Sequence, residues 1–347
     1  MSADRTFFRD TVERILADRL DKADIDAAEE RHFPARLYDA LVENGITLML
    51  VPEDRGGIGA SVADGAAVLR AAGEAAAPGP LLETMLGQKL LADAGLDLAD
   101  GLISLVFVEN VEVPAVDATH WADAALFDVP WPGAVEQVLV VARVATGHRL
   151  IVTRAADWQV APGRDAAGEA RDTITAARLP VRAVALPGGE EALCIAAVLR
   201  AAQSLGAIEW AFRRSVDYAG ERKQFGREIS KFQAIQQMLA ELAGHVLATA
   251  AITEAAAEGM SPGLIAAARS RLGDAIDATI TITHQVHGAI GFSLEYALNS
   301  RTRRLMSWRD DYGSTLHWRR SLAGGFTALD RDAFWPAVSD AGLPAQA

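Results

Sequence analysis

Two stretches carry residues suited to phosphate and ring chemistry. The first is Glu221-Arg222-Lys223-Gln224-Phe225-Gly226-Arg227-Glu228-Ile229, followed by Lys231-Phe232-Gln233. A guanidinium beside a glycine, just ahead of a following helix, can hold a pyrophosphate. Phe225 can pack on a planar ring. The same residues also suit a charged turn between two helices, with Phe225 and Phe232 in the core. The second stretch is Gln285-Val286-His287-Gly288-Ala289-Ile290-Gly291-Phe292. Its two glycines, three apart after a long helical pattern, let backbone approach a ligand closely. They equally suit a helix C-cap. His284 and His287 have no partner cluster of metal-binding type, so they read as structural histidines and no metal site is expected.

The elements that position these stretches fall into three zones. Up to about residue 98 the pattern is helical. Phe7, Phe8, Val12, Ile15, Leu16 and Leu20 recur at three- and four-residue spacing, and Leu37, Leu41 and Ile46 mark the next helix. A glycine-rich turn, Val51-Pro52-Glu53-Asp54-Arg55-Gly56-Gly57-Ile58-Gly59, breaks the pattern, which resumes from Ser61 through Glu74 and stops before Pro78-Gly79-Pro80. The second zone changes period. Ile103–Val108, Val138–Val141, Leu150–Thr153, Thr173–Thr175 and Val181–Val184 are strand candidates. The third zone is helical again. One face is marked by Leu205, Ile208, Phe212 and Val216. A second carries Ile229, Phe232, Ile235, Leu239, Leu242 and Val246, and a third Ile265, Ala268, Leu272, Ile276 and Ile280. Ser261-Pro262-Gly263 joins the last two, which predicts antiparallel neighbours. The expected fold class is therefore α+β multidomain. It has an N-terminal helical domain over 1–100, a small, shortened middle β domain over 101–188, and a C-terminal four-helix bundle over 189–347.

Composition narrows the function. Of 347 residues, 33 are Lys or Arg and 46 are Asp or Glu, for a net charge of −13. That surface repels a nucleic-acid duplex, and no basic stripe offsets it. Half the residues are apolar, which excludes a disordered chain. The single cysteine, Cys194, excludes intrachain disulfides and Cys-based zinc clusters, and it fits a reducing cytoplasm. No apolar run reaches the roughly 20 residues of a membrane span, and Met1 to Asp10 holds no apolar signal region.

Taken with the helix–β–helix order, these stretches resemble the acyl-CoA dehydrogenase family. Glu221-Arg222-Lys223-Gln224-Phe225-Gly226, then Phe232-Gln233, then Gln285 to Phe292 and Glu295-Tyr296, look like that family's C-terminal domain. Pro52 to Gly59 looks like its N-terminal Pro-Glu-x-x-Gly-Gly-x-Gly turn. The resemblance implies a flavoenzyme that dehydrogenates an acyl-CoA thioester between Cα and Cβ. A glutamate removes the α proton and FAD accepts the β hydride. The family's flavin lies at a subunit interface, and one subunit supplies the base and β-domain contacts. Its neighbour supplies the Arg-x-x-Phe-Gly turn and the Gln-x-x-Gly-x-x-Gly loop. Here Arg222, Gln224 and Phe225 match the first donated motif, and Gln285, Gly288 and Gly291 match the second.

The other half departs from the pattern. Val106 to Pro114 does not match the family's first flavin-contacting strand, and Trp131 and Trp158 are poor substitutes for its tryptophan motif. Where the family reads Tyr-Glu-Gly-Thr-x-Gln, this chain reads Asp311-Tyr312-Gly313-Ser314-Thr315-Leu316. Tyr312 thus stands at the glutamate, and a phenol with pKa about 10 is a poor base at neutral pH. The family's alternative base position falls at about Ala196 and Ala197, and the arginine often found there is missing unless Arg200 replaces it. Asp311 is a displaced-base candidate, or Asp310 or Asp311 caps the helix carrying Leu316, Trp318 and Leu322. Glu190 and Glu191 read as acids at the start of a helix.

The resemblance thus implies one half of a short α2β2 acyl-CoA dehydrogenase. FAD is shared at a heteromeric interface with a second dehydrogenase-like subunit. The substrate is a bulky acyl-CoA, such as a steroid side-chain ester, and an electron-transfer flavoprotein is the acceptor. Two alternatives stand beside it. One is a self-sufficient homo-oligomer using Asp311. The other is a flavin-free scaffold or CoA-ester binding protein.

Overall fold

A computed structural model describes residues 3–109, 111–339 and 342–343; Asn110, within the expected flavin-contact stretch, lies outside them. In chain order the elements begin α1 (Ala3–Arg19), α2 (Lys22–Glu29), α3 (Ala35–Glu43), α4 (Val62–Glu74) and α5 (Leu81–Asp93). Seven strands follow: β1 (Ile103–Glu109), β2 (His120–Pro130), β3 (Gln137–Val144), β4 (Gly147–Arg154), β5 (Gln159–Ala161), β6 (Arg171–Pro180) and β7 (Arg182–Ala185). Then come α6 (Gly189–Glu221), the hairpin β8 (Lys223–Gln224) and β9 (Arg227–Glu228), α7 (Gln233–Gly259), α8 (Pro262–His287), α9 (Ala297–Trp308), α10 (Thr315–Thr327) and α11 (Arg331–Ser339). They form two compact units, residues 10–65 with 78–196, and residues 1–9 with 66–77 and 197–347.

The first unit holds the two larger β-sheets. One has the order β1-β3-β4-β7, with β1 and β3 parallel and the other pairs antiparallel. The other is antiparallel, β2-β6-β5. The apolar run in β3 is buried from Val138 through Ala142, as expected of a central strand. Trp121 and Trp158 meet edge to face at 6.2 Å in the core shared by the sheets. The helix α5 is tied to β1 through Thr84, whose Oγ1 accepts from Ile103 N at 3.1 Å and donates to Ile103 O at 3.2 Å.

Two sequence expectations change here. The helix expected through Ile46 stops at Glu43, because Gly45 takes a left-handed φ of 71° and Ile46 falls in a short 3₁₀ turn. The long strand β2 carried no sequence signal. It is rich in Ala and Asp, which are poor strand formers, and a bulge interrupts it between Leu126 and Val129.

The second unit is the helical bundle. The expected join holds: Ser261 caps α8, its Oγ accepting from Leu264 N at 3.3 Å, and α8 packs between α7 and α10. Leu242, Val246, Leu272, Ile276 and Leu305 lie in its core. By length and mean hydropathy (1.4) α6 passes for a membrane helix, contrary to the sequence expectation. However, 83% of its apolar window is buried within the protein, which marks a core helix.

A very tight approach in this unit joins α4 and α6. A Cβ on Gly206 would lie 1.9 Å from the Arg70 carbonyl oxygen, and one on Gly73 would lie 1.8 Å from that of Gln203. The obstacle is backbone, so no rotamer change relieves it. Gly206→Ala is therefore expected to cost about 1–3 kcal/mol or more by overpacking. Gly244→Ala, on α7 with nothing within 4 Å of the new methyl, should be neutral or stabilising. Thermal unfolding of the two variants checks this, and equal midpoints would refute the close approach.

Candidate functional site

The helix α6 ends with Tyr218 O accepting from Arg222 N at 2.9 Å. The chain then reverses in the β8–β9 hairpin, which Ile229 N closes by donating to Arg222 O at 2.8 Å. Phe225 and Gly226 both take positive φ, 52° and 79°, as a two-residue hairpin of the favoured twist requires. A bulky residue in that region is strained. Phe225 is 91% exposed, with its ring edge-on to Phe232 at 6.2 Å. The reading of Phe225 as core is thereby corrected. Only Phe232 packs inward, with the Arg227 guanidinium 4.3 Å from its ring centroid. Arg222 and Gln224 are exposed, and among the described residues the Arg222 guanidinium has no ion-pair partner.

The second motif closes α8. Gly288 is its C-cap, with φ 64° and ψ −144°, and its N–H returns to the His284 carbonyl. The C-cap reading therefore holds, and open space lies where a Gly288 Cβ would stand. Gln285 is exposed on the last turn, while Gly291 is buried against His287, His284 and Leu298. The fold brings the two motifs together. Tyr218, one turn before Arg222, stacks on His287 at 4.4 Å. Sequence reasoning missed Tyr218 because its partner lies 69 residues away.

The histidines behave as structural residues. His287 Nδ1 sits 2.8 Å from Thr283 O, and His284 Nε2 lies 3.1 Å from Thr302 Oγ1. Among the described residues no cluster of His, Cys, Asp and Glu is arranged to hold a metal. Burial, with Glu190 and Glu191 nearby, pushes the Cys194 thiol up to about 11, so it stays protonated at neutral pH.

At the turn preceding α10, the expectation that Asp310 or Asp311 caps the helix does not hold. The cap is Ser314, whose Oγ accepts from His317 N at 3.2 Å. Asp310 lies 3.5 Å from Arg309. Asp311 pairs at 3.1 Å with Arg200, and the two side chains are 11% and 3% exposed. The Arg200 guanidinium is 5.5 Å from the Trp308 centroid and 5.6 Å from that of Tyr312, and Nη1 donates to Gln203. Fully buried Arg269 donates through Nη2 to the carbonyls of Arg309, Asp311 and Gly313, at 3.0, 2.6 and 3.0 Å. Tyr312 is left-handed at φ 57°, with its carbonyl accepting from Trp318 Nε1 at 3.2 Å. Ala196 and Ala197 are wholly buried, and Leu316 is exposed. In the sheets, Trp158 and Trp131 are buried, donating to Thr153 Oγ1 at 3.0 Å and to Glu169 at 3.1 Å. Glu190 and Glu191 open α6, as expected.

A chain order of helices, two β-sheets and helices again, with a paired-motif edge at the end of a bundle, defines a dehydrogenase-type fold. Models of the acyl-CoA dehydrogenase N-terminal and C-terminal domains match residues 2–97 and 190–311. The chain belongs to the acyl-CoA dehydrogenase family. It is 29% identical over 313 residues to the acyl-CoA dehydrogenase IpdE2 of Mycobacterium tuberculosis, covering 87% of this chain and 90% of that one. Its fold matches that of the ChsE4-ChsE5 complex from Mycobacterium tuberculosis with a TM-score of 0.84, at 20% identity over 95% of this chain and 99% of that one. A variant of the Tcur3481-Tcur3483 steroid ACAD matches with a TM-score of 0.79, at 20% identity over 97% and 98%.

Truncating one partner of a buried ion pair strands the other charge. Asp311→Asn is expected to cost about 3–5 kcal/mol. Asp310→Asn, beside a half-exposed arginine, should cost well under 1 kcal/mol. Urea unfolding of both variants decides it, and similar midpoints would exclude a stabilising Arg200–Asp311 pair.

Proposed function

We propose that this chain is the flavin-donating subunit of a heteromeric acyl-CoA dehydrogenase acting on bulky, steroid-type acyl-CoA esters. One contrast carries the reading. The edge formed by Arg222, Gln224, Phe225, Gln285 and Gly288 is open, with its cation unpaired among the described residues, whereas the carboxylate nearest the base position, Asp311, is held by Arg200.

The edge fits the diphosphate and adenine half of FAD. Arg222 offers charge and a planar fork for a diphosphate. Phe225 presents a bare aromatic face, held outward by its hairpin. Gln285 offers an amide at a helix end, and the open space beside Gly288 admits a ligand close to the backbone. When bound, FAD supplies the acceptor for the β hydride. At the base position Tyr312 replaces a carboxylate, so the α proton is removed in a site that the partner subunit completes. The names of the similar proteins support both parts of this reading, a two-chain complex and a steroid substrate. An electron-transfer flavoprotein is the proposed acceptor, as the family implies.

Expression alone and with a dehydrogenase-like partner, each read by visible absorbance and native mass, tests the proposal. The chain alone should be colourless, and the complex yellow. Arg222→Ala should strip flavin from the complex while leaving the assembly mass unchanged. A yellow homo-oligomer would favour a displaced base, and colourless protein in both preparations a flavin-free scaffold.

A further inference from the structure

The two motifs proposed to hold flavin end different helices, α6 and α8, and a ring stack joins them. The Tyr218 and His287 centroids lie 4.4 Å apart with planes at 26°. Tyr218 Oη donates a long hydrogen bond, 3.4 Å, to the His287 carbonyl, which belongs to the peptide leading into Gly288. The Thr283 carbonyl 2.8 Å from Nδ1 assigns the ring proton to that nitrogen. Nε2 is buried and has no partner among the described residues. Tyr296 packs beside both rings, 5.3 Å from His287 and 6.4 Å from Tyr218, and its hydroxyl accepts from Arg214 Nε at 2.9 Å.

We infer that the Tyr218–His287 stack is a positioning pair that sets the separation of Arg222 from Gln285 and Gly288, so that both reach one dinucleotide diphosphate, and that it is acid-sensitive through His287. The inference rests on the flavin-donating reading above. The stack spans the two motifs at the last turn of each helix, so its loss frees the two ends to move independently.

The acid sensitivity follows from the surroundings. The groups facing His287 are Arg214 and Tyr218 from α6, Tyr296 from the segment before α9, and His284 from its own helix. Glu221 is 3.3 Å from Arg214 and is engaged there. A second ring proton would sit on Nε2, buried and without an acceptor. Burial holds His287 below the usual imidazole range, reinforced by Arg214 and His284 and opposed by the Thr283 carbonyl. The native ring therefore takes its second proton only at a lower pH than a freed ring, which takes one near pH 6.5. Above that pH the stack keeps its full stability, and it weakens as pH falls from about 6.5 toward the lowered native value.

The test uses the complex with the partner subunit and FAD itself as the probe, read by fluorescence titration, with circular dichroism checking the fold. His287→Ala and Tyr218→Leu should each weaken FAD binding about tenfold or more, an equilibrium change of about 1.4 kcal/mol. Tyr218→Phe and His287→Phe, which keep a ring, should restore most of it. Wild-type affinity should fall between pH 7.5 and 5.5, and His287→Phe should flatten that profile. Wild-type binding by His287→Ala, or an unchanged acid loss in His287→Phe, overturns the inference. If Arg222→Ala weakens binding while His287→Ala does not, the positioning pair alone fails. If Arg222→Ala binds FAD normally, the flavin-donating reading fails first, and the pair with it.

Discussion

The helical unit is organised around guanidinium groups taken out of water. Desolvating such a charge costs several kcal/mol unless oxygens meet it. Arg269, 2% exposed, is met by three carbonyls of one turn, and burial still draws it down to about 10. To aim three carbonyls at one nitrogen, residues 309–313 must curl around α8. That curl puts Tyr312 in the left-handed region and gives Gly313 a φ of 105°, where a Cβ would stand 2.6 Å from Trp318 Nε1. The turn also brings Asp311 to Arg200. Arg301 repeats the solution elsewhere, donating to the Glu74 and Ala297 carbonyls beneath Trp210, with burial drawing it down to about 9.

A turn fixed in this way has little freedom to offer a side chain to a substrate. Asp311 is an ion-pair partner, and the Tyr312 ring lies 5.6 Å from the Arg200 guanidinium. At the C-terminal end of α6 the logic is reversed. The hairpin holds Phe225 outward at a backbone angle that costs energy, and Arg222 has no ion-pair partner among the described residues. Strain and an unpaired cation persist at a surface where something else is to be met, whereas strain at residue 312 is absorbed by internal hydrogen bonds.

The helices and central strands were legible because apolar spacing sets them locally. The candidate flavin edge was legible for the same reason, since each of its motifs is a short run whose residues act together. What escaped were contacts across the chain. Arg200 meets Asp311, and Tyr218 meets His287, only because α6 packs among the later helices, and no local pattern encodes that register. The cap of α10 shows a finer failure. Asp310, Asp311 and Ser314 are all good capping residues. The choice fell to Ser314 because the left-handed pair Tyr312-Gly313 keeps the helix from starting earlier.

Distance along α6 bears on the division of labour. From Arg200 to Arg222 the helix advances about 33 Å at 1.5 Å per residue. Groups that act on one reacting bond must sit within a few ångströms of each other. The turn around Asp311 and the edge around Arg222 therefore cannot close on the same bond within one chain. The edge can stay open while the turn is locked by arginines, because the two lie far apart along α6. On the proposed reading, a chain built this way contributes its open edge to a site whose reacting centre lies elsewhere.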